Sequence, residues 1–230
     1  MTAAHRENPK RGLAYNLLMI FVAVFVVLVL GVVVRFGWMH YYRAAFPIGY
    51  MEYVLRYSEQ NNVPAELVFA VIRSESGFDY TAVSEAYARG LMQITEETFE
   101  WARWRMGDYE DRSFDELFIP EINIRYGTFI LHLKLERFGG EREALAAYHA
   151  GWGSVTRWLE DERFSDDGLT LRDTPFRRTN AYVYNVLFAR DVYRSLYDFE
   201  GGQLNLSNFR LLHLAWQDII TLPRGWFQNE

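Results

Sequence analysis

The chain contains no cysteine, which excludes disulfides, thiolate nucleophiles and cysteine-based zinc sites and is compatible with either side of a bacterial membrane. Its five histidines, His5, His40, His132, His149 and His213, show no paired spacing of the HExxH kind, so no metal site is readable and no cofactor is expected. No internal repeat, low-complexity tract or long Gly/Ser linker interrupts residues 45–200, and no alternating strand of useful length is found. Positive charge is outnumbered outside the first segment. The formal net charge is −6, yet residues 1–45 hold five Lys/Arg against one acid, so the remainder carries −10. An acidic globular part argues against nucleic acid, whose binding rests on cationic contacts to phosphate. The charge names no protein partner.

What is present is apolar and aromatic. Half of the 230 residues are hydrophobic and 17% are aromatic, enough to build a substantial core and to exclude wholesale disorder. The length suits one ordinary domain plus an appendage. Residues 13–34 read LAYNLLMIFVAVFVVLVLGVVV, with one amide, Asn16, and no charge. At ~1.5 Å per residue such a helix spans roughly the 30 Å hydrocarbon core of a bilayer. Arg6, Lys10 and Arg11 precede it and favour a cytoplasmic N-terminus, against the weaker opposing pull of Arg35 and Arg43. Trp38, Tyr41 and Tyr42 follow where an interfacial aromatic belt would sit. The competing reading, a cleaved signal peptide, requires an apolar region of about 7–15 residues and a small-x-small cleavage site. Residues 35–39, RFGWM, offer no such site. The expectation is a cytoplasmic tail over 1–12, a single-pass anchor over 13–34 and a juxtamembrane linker over 35–47, with everything beyond lying outside the cytoplasm.

Apolar residues at helical spacing predict helices over about 48–60, 64–76, 95–106, 120–138, 141–150, 153–161 and 179–197. Pro64 and Pro120 suit first-turn positions, and Gly77, Gly139 and Gly151 suit C-terminal caps. Thr95 followed by Glu96 and Glu97 reads as an N-cap with acids at the positive helix end. Gly127, inside its helix, should cost about 1 kcal/mol against alanine, which calls for a packing reason. The fold class is all-α: one compact domain over residues 48–200 behind the anchor. An extension over 201–230 begins with Gly-Gly and includes an amphipathic stretch at 209–220.

Within the helix that starts at Pro64, Leu67, Val68, Val71 and Ile72 form one stripe, and continuing it by one turn reaches Glu75. A carboxylate thus extends an apolar face at the last turn of a buried helix. Desolvation and the negative end of the helix dipole would both raise its pKa, as a general acid for glycoside cleavage requires. The alternative is a surface carboxylate at a helix end, reaching to water or pairing with Arg73 or Arg89.

The surrounding segment, AVIRSESGFDYTAVSEAYARGLMQIT at residues 70–95, resembles the soluble lytic transglycosylase family, whose domain has a goose-type lysozyme-like fold. The shared elements are Glu75, Ser76 and Phe78, then Ser84, Ala88 and Gly90-Leu91-Met92-Gln93. Three later segments follow in register: FIPEINI at 118–124 with Gly127; AYHAG at 147–151 with Trp158 and Leu159; and Thr179 with Tyr182 and Val183. The resemblance covers roughly residues 48–197.

It implies that Glu75 protonates the bridging oxygen between N-acetylmuramic acid and N-acetylglucosamine. It then acts as a base on the muramyl primary hydroxyl, which closes a 1,6-anhydro ring instead of admitting water. Most glycosidases use two carboxylates, with substrate-assisted enzymes as exceptions; the muramyl N-acetyl carbonyl supplies the assistance here. Asp79, the nearest second acid, is not expected to be a nucleophile. The resemblance further implies that Ser84, Met92, Gln93, Tyr148, His149 and Tyr182 line a sugar groove and that Gly90 permits close backbone approach. Core packing is the alternative for Met92 and Tyr182. Two positions depart from the family pattern: His149 stands where asparagine is usual, and Arg178 where glutamate is. The partners implied are peptidoglycan strands and, through the first helix, a membrane. Rival readings are a goose-type lysozyme, with water as acceptor, and a non-catalytic glycan-binding scaffold.

Overall fold

A computed structural model of the chain describes residues 9–197 and Phe199; the amphipathic stretch at 209–220 lies outside the described residues. The chain divides into two compact units, residues 1–47 and 48–230.

The first unit holds α1, Pro9–Ala45. Its segment Tyr15–Ala45 is long and apolar enough to cross a membrane, and its most apolar stretch has no buried residue. The helix does not stop near residue 34. It runs on through the segment expected to be a linker, because nothing there breaks it: the first proline past Pro9 is Pro47, and the helix ends just short of it, as the restricted residue before a proline favours. Trp38 and Tyr42, one turn apart, bring their rings to 5.3 Å, and Tyr42 stacks on Phe46 at 5.9 Å.

Among its described residues the second unit is helical. In order it contains α2 (Met51–Asn61), α3 (Ala65–Ser76), α4 (Glu96–Met106), a 3₁₀ turn (Phe114–Phe118), α5 (Pro120–Phe138), α6 (Glu141–Ala150), α7 (Trp152–Leu159) and α8 (Arg177–Leu196). Among the described residues only isolated β-bridges occur, Val83 to Arg89 and Arg89 to Ile94. The expected helices are all present, within a few residues at their ends. The 3₁₀ turn was not anticipated. Its signal is a capping box, in which the Ser113 hydroxyl accepts from Asp115 N–H while the Glu116 carboxylate accepts from Ser113 N–H. Thr95 caps α4 through Thr98 N–H, and Gly77 and Gly139 close α3 and α5 in the left-handed region. Gly151 also caps α6, its N–H donating to Ala147 O, but with φ 80 and ψ 143 it turns the chain so that α7 starts at once.

α3 is the centre of the domain. Leu67, Val68, Phe69, Ala70, Val71 and Ile72 are all fully buried, so the helix is apolar on every side rather than along one stripe, as befits a core helix. Its main neighbour is α8, with the Phe69 ring stacked on Tyr193 at 5.5 Å. α6 packs between α5 and α8; its buried Ala144, Ala146 and Ala147 let backbones approach closely. The packing reason at Gly127 is specific: a Cβ there would collide with the Met92 side chain.

Candidate active site

The last turn of α3 carries Glu75 past the end of the buried stripe, and Gly77 stops the helix immediately afterwards. Ser76 locks that end in place, its hydroxyl donating to Leu91 O at 2.9 Å. The following segment, 78–94, folds back as a tight loop. Gly90 N–H donates to Ala82 O, and Ser84 and Ala88 close a turn within it. Gln93 takes a left-handed backbone, φ 47. That conformation is uncommon for a residue with a side chain, and here the Gln93 amide tethers it by donating to Gly90 O and Ala82 O.

One buried side chain bolts this loop to the core. Asn123, fully buried on α5, accepts from Met92 N–H at 2.8 Å and donates to Arg89 O at 2.9 Å and Leu117 O at 2.8 Å. Asn123 was legible only as part of a motif. Its structural role follows from a short amide placed among apolar neighbours, where each polar atom must find a partner.

The resulting cleft encloses about 430 Å³ and is lined by Glu75, Ser84, Gln93, Tyr148, His149 and further residues of α4 and α5. Tyr182, on α8, is not a wall of this cleft; it reaches Glu75 directly, its hydroxyl donating to Oε1 at 2.7 Å. The Tyr148 hydroxyl donates to Met92 O at 2.8 Å. Gly90 and Met92 depart from expectation, since neither lines the cleft. Gly90, at φ +73, leaves room for Asn123 and the Leu117 carbonyl rather than for a ligand. Met92 is fully buried with its side chain against Gly127, and only its backbone serves the site.

Burial pushes the Glu75 carboxyl up to about 7, and the Tyr182 hydrogen bond, which favours the charged form, opposes it. The pairing with Arg89 does not arise. Arg89 pairs with Asp115 and lies over the Phe114 ring at 4.0 Å. No other acidic residue lines the cleft among the described residues. Asp79 is exposed and accepts from Thr81 N–H at 2.8 Å and its hydroxyl at 2.7 Å, which holds its carboxyl below the ordinary value. Buried Glu143 accepts from Leu171 N–H at 2.8 Å, tying down the segment between α7 and α8.

His149 lies at the cleft with its ring 4.6 Å from that of Tyr182 and its Nδ1 3.3 Å from the Thr179 hydroxyl. Burial, and then the charge of Arg178, lower its pKa from the ordinary value, which favours the neutral imidazole. Arg178 itself is exposed. A cleft cation escaped sequence analysis. Lys134, on α5, lines the same cavity, and burial lowers its pKa to about 8. Its position within an apolar helical pattern was the available signal.

This arrangement joins a carboxyl poised to hold or release a proton near neutrality to an open cleft of mixed polar and apolar walls. The chain has relatives among known lytic transglycosylases. The soluble lytic murein transglycosylase of Salmonella typhimurium is 34% identical over 150 residues, covering 64% of this chain and 23% of that protein. The membrane-bound lytic murein transglycosylase C of Serratia proteamaculans is 33% identical over 123 residues, covering 50% and 34%. An inactive glutamate-to-glutamine mutant of the Pseudomonas aeruginosa lytic transglycosylase Slt superposes with a TM-score of 0.57 at 29% identity, over 72% of this chain and 26% of that one. The chain therefore spans about a quarter to a third of the length of these relatives. The family model described as the transglycosylase SLT domain matches residues 52–169, a run that contains Glu75, the Gln93 loop, Asn123 and His149, and the chain belongs to that family.

Proposed function

We propose that this protein is a peptidoglycan lytic transglycosylase in which Glu75 acts first as general acid and then as general base. The observation that carries the reading is a lone cleft carboxyl, shifted to about 7 by burial and held by Tyr182. In the first step protonated Glu75 gives its proton to the oxygen bridging N-acetylmuramic acid and N-acetylglucosamine. The C1–O bond breaks, and the N-acetyl carbonyl of the muramyl residue shares the positive charge at C1, so no second carboxylate is required. In the second step the Glu75 carboxylate takes the proton of the C6 hydroxyl. The C6 oxygen bonds to C1, the carbonyl withdraws, and Glu75 is again protonated. A pKa near the working pH suits a group that must serve in both forms. Ser84, Gln93, Tyr148 and His149 form the wall that would hold the sugars. The names of the Salmonella and Serratia relatives, and the inactive glutamate mutant of the Pseudomonas protein, support this chemistry.

The length and apolar character of α1 support membrane association, as does the membrane-bound Serratia relative. The basic residues Arg6, Lys10 and Arg11 support a cytoplasmic N-terminus with the domain on the other side.

The test is mass spectrometry of the fragments that detergent-solubilised full-length protein releases from purified sacculi. Products ending in 1,6-anhydromuramic acid are expected. Fragments with free reducing ends, heavier by one water, would make the protein a hydrolase.

A further inference from the structure

Beyond Lys134 the catalytic cleft does not end. A second cavity of about 280 Å³ shares Thr98, Lys134 and Gly151 with it and adds Glu97, Trp101 and Trp152. A third, of about 400 Å³, shares both tryptophans and adds Trp104, Arg105, Leu133, Glu136 and Arg137. The three share walls in sequence, so adjoining cavities lead from Glu75 past Lys134 to a tryptophan-lined end, a trough along this face. Trp101 and Trp152 meet edge to face at 5.1 Å, which fixes both rings. Trp152 is 41% exposed and Trp104 64%. Rigid, exposed indoles rimmed by polar groups mark an interaction surface rather than a core.

The cations are placed with them. The Lys134 ammonium lies 5.5 Å from the Trp152 ring centre, and the Arg137 guanidinium, one turn further along α5, lies 5.5 Å from the same ring. Lys134 forms no ion pair with any carboxylate among the described residues. A half-buried ammonium that borders a cleft and lacks a counter-charge is costly unless an anion comes to it. Lys134, Arg105 and Arg137 outnumber Glu97 and Glu136 along these walls, which in a domain of net negative charge is a local invitation to an acidic ligand.

We infer that the Trp101–Trp152 trough is an accessory subsite for the glycan strand, where a sugar ring stacks on the indoles and Lys134 receives a carboxylate of the muramyl peptide stem. The inference rests on the proposed peptidoglycan substrate. The stacking face tolerates either sugar, whereas Lys134 distinguishes strands that carry peptide stems from neutral ones.

Binding is measured with full-length Glu75→Gln protein in detergent, to which Trp152→Ala, Lys134→Met or Lys134→Arg is added. The probes are soluble glycan strands bearing peptide stems and a neutral oligomer of N-acetylglucosamine. Trp152→Ala is expected to weaken both by about tenfold, as truncation of an aromatic anchor does. Lys134→Met is expected to weaken the peptide-bearing strands by about fivefold and the neutral oligomer by less than twofold, with Lys134→Arg restoring the difference. Methionine conserves volume, so this arm stands even if Trp152→Ala does not fold. Equal binding of both probes by parent and variants would overturn the subsite while leaving the peptidoglycan reading intact. Failure of the Glu75→Gln parent to bind either probe would remove both.

Discussion

The Tyr182 hydroxyl donates a 2.7 Å hydrogen bond to Oε1 of Glu75 across 107 residues of sequence. It joins the end of α3 to the first turns of α8, the two helices whose packing forms the centre of the domain. Burial alone would drive the carboxyl further from the charged form, and the tyrosine restrains that drive, leaving the pKa at about 7. The same bond fixes the rotamer, so one contact both positions the carboxyl and offsets part of the shift that burial causes.

Glu75→Gln is expected to lower release of anhydromuropeptides from sacculi by at least about a hundredfold, the low end of a general acid's contribution. Gln preserves size and the hydrogen bond from Tyr182, so sacculus pelleting should change less than twofold. Retention of a tenth or more of parent turnover would place the proton transfer on another residue.

The same substitution is expected to stabilise the domain above neutrality. A native pKa of about 7 against 4.5 means that both states hold the proton below about pH 4.5. Between these values only the native state does, so stability falls as pH rises through the interval and levels off above 7. Glu75→Gln removes that loss, a gain of at most about 3 kcal/mol at pH 8 that vanishes near pH 4. Denaturant unfolding of parent and variant in detergent at the two pH values reads the difference directly.

Turnover is expected to fall as pH rises through about 7, because the first step needs the protonated carboxyl. Tyr182→Phe deletes the bond that favours ionisation, so it should move this alkaline limb to higher pH while slowing turnover about tenfold through lost positioning. Rate profiles of the two proteins decide it: an unmoved limb would show that Glu75 is not the titrating group.

Asn123→Ala is expected to destabilise the domain by about 3 kcal/mol, since Met92 N–H and the Arg89 and Leu117 carbonyls each lose a partner in a buried place. Turnover should fall with it, because the loop that carries Gln93 is bolted through that side chain. Thermal unfolding beside kinetics on sacculi would expose a purely local effect.

Arg178→Glu is expected to change turnover less than tenfold and to leave the alkaline limb where it is. Arg178 is exposed and its charge acts on His149, whereas the shift at Glu75 arises from burial and Tyr182. A limb displaced by this substitution, measured across pH on sacculi, would put the arginine beside the acid.

The sequence by itself determined the helices, because apolar periodicity and caps such as Thr95, Gly77 and Gly139 are local properties of the chain. It also marked Glu75, since a carboxylate continuing an apolar face is visible within one helix. Tertiary structure decided what those residues touch. That Gly90 and Met92 pack inward while Lys134 opens onto the cleft depends on α5 lying against the 78–94 loop, and no spacing along the chain encodes that approach. The Tyr182 contact and the Trp101–Trp152 trough arise likewise, from helices far apart in sequence meeting around α3. Their side chains read alone as ordinary aromatic residues, and only close packing assigns one to an acid and the others to an open surface.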